Sequence, residues 1–372
     1  MRFCAVLLTA SLIIPSSTDA ADEKKPVKKD PRTLVAVDLD GVDEDFHYQG
    51  EYLGAASHGG QCTTIGLQVA ALGDGNFQAV EHHGGLPGYG WPIDGTRIKY
   101  SGSREGTKLT FAGESKNITI ENGHAIIWTA DGQCPIGGAN KVHRQSSTLG
   151  WAPPACATVL FDGSNDDLFQ NDPFSDDGIV QRDAITKDPI GDMQLHVEFR
   201  LPYMPYAREQ ARSNSGVYIQ TRYEVQVLDS FGFDKKINGI GALYTQREPD
   251  LNMALPPLSW QTYDIWFKGP RFDAEGNRTE KARLTAWLNG VPVQDDVEVQ
   301  DCTGAGKRVG EGPNPLPLKL QQHGNKARFR NVWVINHGSP STSSGPAAVE
   351  TITSTQRQPN LLSLFRNIGI SQ

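Results

Sequence analysis

The sequence predicts an all-β chain with two β-rich regions, the second of them a two-sheet sandwich. Three observations lead there. Short stretches of alternating apolar and polar residues recur, turn pairs such as Asn122-Gly123 and Asn289-Gly290 separate them, and 39 glycines and 23 prolines interrupt any long helical periodicity in the 372 residues.

At the N-terminus Met1-Arg2 precedes an apolar run from Phe3 to Ile14 and then small residues up to Ala20. This pattern predicts a signal peptide over 1–20, cleaved near Ala20, and a secreted or periplasmic protein. Cys4 stands at the start of the apolar run, which argues against a lipoprotein signal. The run is too short to cross a bilayer and no later segment is long enough, so no membrane span is expected. Residues 21–33 carry four lysines and two prolines and read as a solvated linker.

Cys62, Cys134, Cys156 and Cys302 remain after the signal. An even number in an oxidising compartment allows up to two disulfides, with three pairings open and four isolated thiols an equal alternative. No CxxC occurs, which argues against a structural zinc motif. A formal charge of -8 without a basic stripe argues against a nucleic-acid partner. Oligomeric state has no signature in the sequence.

The first region, 34–150, is a small β-rich domain whose role the sequence does not give. Gly66 to Leu72 and Phe77 to Glu81 flank the turn Gly73-Asp74-Gly75-Asn76. Asn117 to Glu121 and His124 to Trp128 flank Asn122-Gly123, the pair suited to a type I′ turn. The loop Gly84 to Trp91 has no helix behind it to present amides to a phosphate, so it reads as a surface loop. His82-His83 and Asp166-Asp167 are adjacent pairs whose members point apart on a strand or lie in a loop, and they read as structural or solvated.

Trp151-Ala152-Pro153-Pro154 marks a boundary, and the second region runs over 158–337. Gln194 to Leu201 alternates strictly, with Gln194, His196, Glu198 and Arg200 on the polar side. Gln261 to Phe267, the hairpin Arg283 to Leu288 with Val291 to Gln294, and Phe329 to Ile335 add further strands. The tail 338–372 is rich in Ser, Thr, Pro and Gln and reads as loose.

The stretch Asn214 to Asp229 carries the chemistry. Alternation sends Val217, Ile219, Val225 and Val227 to one face and Tyr218, Gln220, Glu224 and Gln226 to the other. Tyr, Gln and Glu side by side suit a sugar better than an ordinary wet face. Glu224, Gln226 and Asp229 resemble the E-x-D-x-x-E strand of laminarinase-like glycoside hydrolases, where a β-bulge gathers the acids on one side. Here Gln226 and Asp229 replace the middle and last acids, whereas retaining hydrolysis needs two carboxylates about 5 Å apart.

Leu160-Phe161-Asp162-Gly163, Asn214 to Tyr218, Tyr223 to Asp229, Trp260 to Asp264, Leu288-Asn289-Gly290 and the block Gly312 to Gly324 with Ala327 to Val334 occur in an order that resembles the 3-keto-disaccharide hydrolase domain family. The resemblance covers roughly Val159 to Asn336. It implies a concanavalin A-like jelly roll with a sugar site on its concave face, and cleavage of glycosides already oxidised at C3, so an oligosaccharide or glycoside is the expected partner. A C3 ketone acidifies the C2 proton; one base can remove it while an acid helps expel the C1 substituent, and water then adds.

On that reading Glu224 is the candidate base and His323 its partner acid or base. Tyr218, Gln220, Gln226, Asp229 and Gln321 are candidate substrate-binding groups, with Arg271 at the rim and Arg328 and Arg330 as outer-face charges. No cofactor is identified. A divalent metal held by Glu224, Asp229 and His323 stays open, although their spacing matches no metal motif. The alternative functions are a non-catalytic, lectin-like carbohydrate-binding sandwich and, further off, a structural surface protein.

Overall fold

A computed structural model describes residues 33–338. The signal over 1–20, the linker up to Arg32 and the tail beyond Gly338 lie outside them. The described chain is all-β, with a few short 3-10 turns.

The first eight long strands come from β1 (Gly50–His58), β2 (Gln61–Gly73), β3 (Asn76–His83), the short β4 (Leu86–Pro87) and β5 (Gly90–Trp91), β6 (Arg97–Glu105), β7 (Lys108–Ala112), β8 (Lys116–Glu121), β9 (His124–Thr129) and β10 (Pro135–Val142). Without β4 and β5 they close into an antiparallel barrel in the order β1-β10-β9-β8-β7-β6-β3-β2. Closure removes both sheet edges. Alternation sends Leu67, Phe77, Phe111 and Ile118 inward, where all are at most 1 % exposed. Asn122 and Gly123 sit at φ 50° and 77°, the left-handed pair that a type I′ turn requires. The loop holding β4 and β5 is less superficial than its composition suggests, because Leu86 is buried and a Cβ on Gly88 would strike Met253.

The second half contains β11 (Thr158–Phe161), β12 (Ala184–Ile190), β13 (Asp192–Arg200), β14 (Ser215–Ile219), β15 (Tyr223–Val227) and β16 (Trp260–Lys268). It continues with β17 (Arg271–Phe272), β18 (Arg278–Glu280), β19 (Ala282–Leu288), β20 (Val291–Val299), β21 (Leu316–Leu320) and β22 (Arg328–Gly338). A six-stranded sheet, β11-β22-β13-β16-β19-β20, faces a four-stranded sheet, β12-β21-β14-β15. Leu195, Val197, Ile265 and Leu284 of the first meet Val217, Val225, Leu318 and Leu320 of the second in one core. Each such aliphatic side chain contributes about 1.5–3 kcal/mol on burial.

Two expectations change. The stretch 214–229 is a hairpin of β14 and β15, with Gln220 and Thr221 at φ 52° in its turn. The pairing runs without a bulge and ends at Val227, so Asp229 falls beyond the strand. The polar face of β13 is not wet either: His196 and Glu198 are at most 1 % exposed. The segment joining barrel to sandwich lies over them, with the Gly150 N–H donating to Glu198 (2.5 Å) and Thr148 to Asp264 (2.7 Å), which also pairs with His196 (2.7 Å). The four cysteines are free, Cys302 buried and the others exposed.

Candidate active site

Period-two alternation on three neighbouring strands builds the site. Val217, Val225, Leu318 and Leu320 face the core, so Gly216 and Tyr218 on β14, Glu224 and Gln226 on β15, and Lys319 on β21 share the opposite face, which Gln321 extends just past β21. Tyr218 pairs with Glu224 on one side and with Lys319 on the other. Loops cover this face, leaving Glu224 3 % and Tyr218 2 % exposed.

The Tyr218 hydroxyl donates to the Glu224 carboxylate and accepts from the Ala305 N–H. The Gln321 Nε2 lies 3.5 Å from the same hydroxyl, while its Oε1 is buried without a hydrogen-bond partner. The Lys319 ammonium stands over the Tyr218 ring, 4.1 Å from its centroid, and pairs with Asp183 at 3.4 Å. The Glu224 N–H donates to Thr303 Oγ1 (2.7 Å), which ties β15 to the loop carrying Gly304.

Two glycines give the carboxylate its room. A Cβ on Gly216 would lie 2.6 Å from Glu224 Oε1, and one on Gly304, at φ 44°, would lie 3.0 Å from Oε2 and 3.1 Å from the Tyr244 ring. Removal from water raises the Glu224 pKa to about 7, against the lowering pull of the Tyr218 hydrogen bond and the Lys319 charge. Burial pushes the Tyr218 phenol well above its ordinary value, so it stays protonated. A buried carboxylate poised near neutrality beside a phenol and an ammonium can take a proton, return one, and stabilise a developing oxyanion.

The other sequence-predicted residues divide differently. Gln226 shares the face, but its amide is occupied by Gln210 (3.0 Å) and the Asn238 carbonyl (3.3 Å). Gln220 sits in the hairpin turn, bonded to the Ile190 carbonyl and to Arg222. Arg271 lies near that turn, beside Gly269, in an ion pair with Asp192 (2.5 Å). Asp229 is buried against Arg212 (Nε to Oδ2, 2.7 Å) and serves the fold. Arg328 pairs with Asp38 and Asp177, and Arg330 with Glu198.

His323 is exposed in the loop after β21, and no hydrogen bond or ion pair joins it to Glu224. The groups that act on the Glu224 carboxylate are Tyr218 and Lys319, not the His323 expected as its partner. The metal trio of Glu224, Asp229 and His323 is likewise not assembled, because Asp229 is committed to Arg212 and His323 points from a separate loop. Lys319, Tyr244, Thr303 and Gly304 went unmarked in the sequence. Lys319 alone had a signal, since it alternates with Gln321.

Residues 156–335 match the family described as "3-keto-alpha-glucoside-1,2-lyase-like domain". A search of curated proteins finds no match. Solved structures from Parabacteroides distasonis ATCC 8503, described as a "putative glycosyl hydrolase", are similar to about half of the chain. One is 29% identical, covers 49% of this chain and 84% of its own, and has a TM-score of 0.43. A second is 17% identical, covers 49% and 94%, and has a TM-score of 0.36.

Proposed function

We propose, from the match of residues 156–335 to the 3-keto-alpha-glucoside-1,2-lyase-like domain family, that the chain is a carbohydrate-acting hydrolase whose substrates are 3-keto-glycosides, 3-keto-disaccharides among them. Glu224 takes the C2 proton. The electron pair released forms an enolate on the C3 oxygen, which the Lys319 ammonium stabilises. Collapse of the enolate breaks the bond from C1 to the leaving oxygen, and that oxygen receives a proton from the Tyr218 hydroxyl. Water then adds across the new C1–C2 double bond, its proton going to C2 and its hydroxyl to C1, while the proton held by Glu224 passes to the Tyr218 oxygen, so the sum is hydrolysis with both groups restored.

One observation supports this route above the others: among the described residues no second carboxylate takes part in setting the pKa of Glu224, which burial raises against the lowering pull of the Tyr218 hydroxyl and the Lys319 charge. A retaining glycosidase needs two carboxylates about 5 Å apart, whereas elimination beside a ketone needs one base, one donor and a charge to hold the enolate. A lectin site would gain nothing from a buried acid held near neutrality. The signal over 1–20 belongs to the same proposal and places the enzyme outside the cytoplasm, in the periplasm or beyond.

Incubation with a 3-keto-disaccharide and with its unoxidised parent, following released monosaccharide, tests the reading. Turnover of the keto compound is expected. Activity on the parent alone overturns the keto-sugar assignment, and binding of both without turnover favours the lectin alternative.

A further inference from the structure

The barrel carries a second cluster that the sandwich chemistry does not use. Inward positions of β1, β3, β6 and β8 are apolar along most of the barrel, but at one end they become His58, Glu81, His83 and Lys116, with Tyr100 beside them. Glu81 is fully buried. His83 points inward here while its neighbour His82 points out toward Trp91, so the pair that adjacency made look structural splits into two environments.

The geometry is that of a ligand set. Glu81 Oε1 lies 3.2 Å from His58 Nε2 and 3.0 Å from His83 Nε2, and all three ligand atoms fall within 4.8 Å of one another. Ligand bonds of about 2.0–2.2 Å in a tetrahedral zinc shell put neighbouring donor atoms a little over 3 Å apart. The atoms behind them are fixed: His58 Nδ1 contacts the Ala56 carbonyl (3.2 Å) and Thr63 Oγ1 (2.9 Å), and Glu81 Oε2 accepts from Tyr100 (3.0 Å). Such outer contacts orient a ligating imidazole and carboxylate. His83 Nε2 is buried and, despite its closeness to Glu81, has no hydrogen bond of proper geometry.

A cation already sits among these atoms. Lys116 Nζ is 2.7 Å from Glu81 Oε1 and 2.5 Å from His58 Nε2. We propose that this end of the barrel binds a divalent transition-metal ion of the zinc type through His58 Nε2, Glu81 Oε1 and His83 Nε2, with the Lys116 ammonium competing for the same position. His58 and His83 side chains remain 23% and 26% exposed, which leaves an entry from solvent. Three protein ligands leave a fourth position for water or another small donor.

The test uses the full chain and Co2+ as a spectroscopic probe, with Zn2+ as competitor. The wild type is expected to take up one Co2+ with visible ligand-field bands that Zn2+ abolishes. Lys116→Met should tighten binding at least about tenfold, and Glu81→Gln, His58→Ala and His83→Ala should each weaken it at least about tenfold, with circular dichroism confirming that each variant folds. Absence of binding by both wild type and Lys116→Met overturns the proposal. So does binding that the three ligand substitutions leave unchanged in folded protein.

Discussion

Tyr218 and Glu224 stand opposite each other in the β14–β15 register, and the phenol donates to the carboxylate with both side chains buried. On the proposed route Tyr218 serves both ends of the reaction, holding the base and supplying the leaving group's proton. Tyr218→Phe should lower kcat by roughly a hundredfold or more. Losing the hydrogen bond also removes a lowering influence on Glu224, so the ascending limb of the pH–rate profile should move to higher pH. A profile that keeps its position and height contradicts the pairing.

The buried acid also sets a stability signature. The folded pKa of Glu224, about 7, lies above its unfolded value, so the native state holds a proton that the unfolded chain has released between the two. Its favourable contribution is full below the unfolded pKa and is lost as pH rises through about 7. Glu224→Gln removes that dependence. The variant should gain up to roughly 3 kcal/mol relative to wild type at pH 8 and little at pH 4, read from urea midpoints at the two values. An equal difference at both would show that Glu224 is not the titrating group.

Asp229 gives the opposite case, an acid expected to bind substrate that is instead paired inside the fold. Its carboxylate pairs with Arg212 inside the protein. Arg212→Met leaves a buried carboxylate without its partner and should cost roughly 3–5 kcal/mol, while the folded fraction keeps kcat/KM within about threefold. Denaturant unfolding alongside active-site-normalised rates checks both halves.

His323 provides a control in the loop that follows β21. It is exposed and has no hydrogen bond or ion pair with Glu224, so His323→Ala should leave turnover within roughly threefold of wild type. Steady-state rates on a 3-keto-glycoside decide this, and a loss greater than tenfold would restore His323 to the chemistry.

Much of this arrangement was legible in the alternation of the chain. Val217, Val225 and Leu320 face the core as their spacing predicts, and Tyr218, Glu224 and Gln321 share the other side because the period of a strand is two. The turns at Asn122-Gly123 and Asn289-Gly290 were readable because few residues accept positive φ. Alternation does not say which strands pair, so neither the closure of β1 against β10 nor the hairpin within 214–229 could be seen. Nor does it see loops: Thr303 and Gly304 lie 79 or more residues from Glu224 in sequence and reach it only through tertiary packing. Lys319 was hidden for another reason, since a lysine on a strand face ordinarily reads as a solvated charge.

On the proposed route Glu224 removes a proton from C2 of an oxidised sugar. The most direct measurement is turnover of a 3-keto-glycoside carrying deuterium at C2. A primary isotope effect on kcat/KM is expected, with label lost to solvent and both features gone with the activity in Glu224→Gln. Equal rates for labelled and unlabelled substrate with the deuterium retained in the product would contradict it.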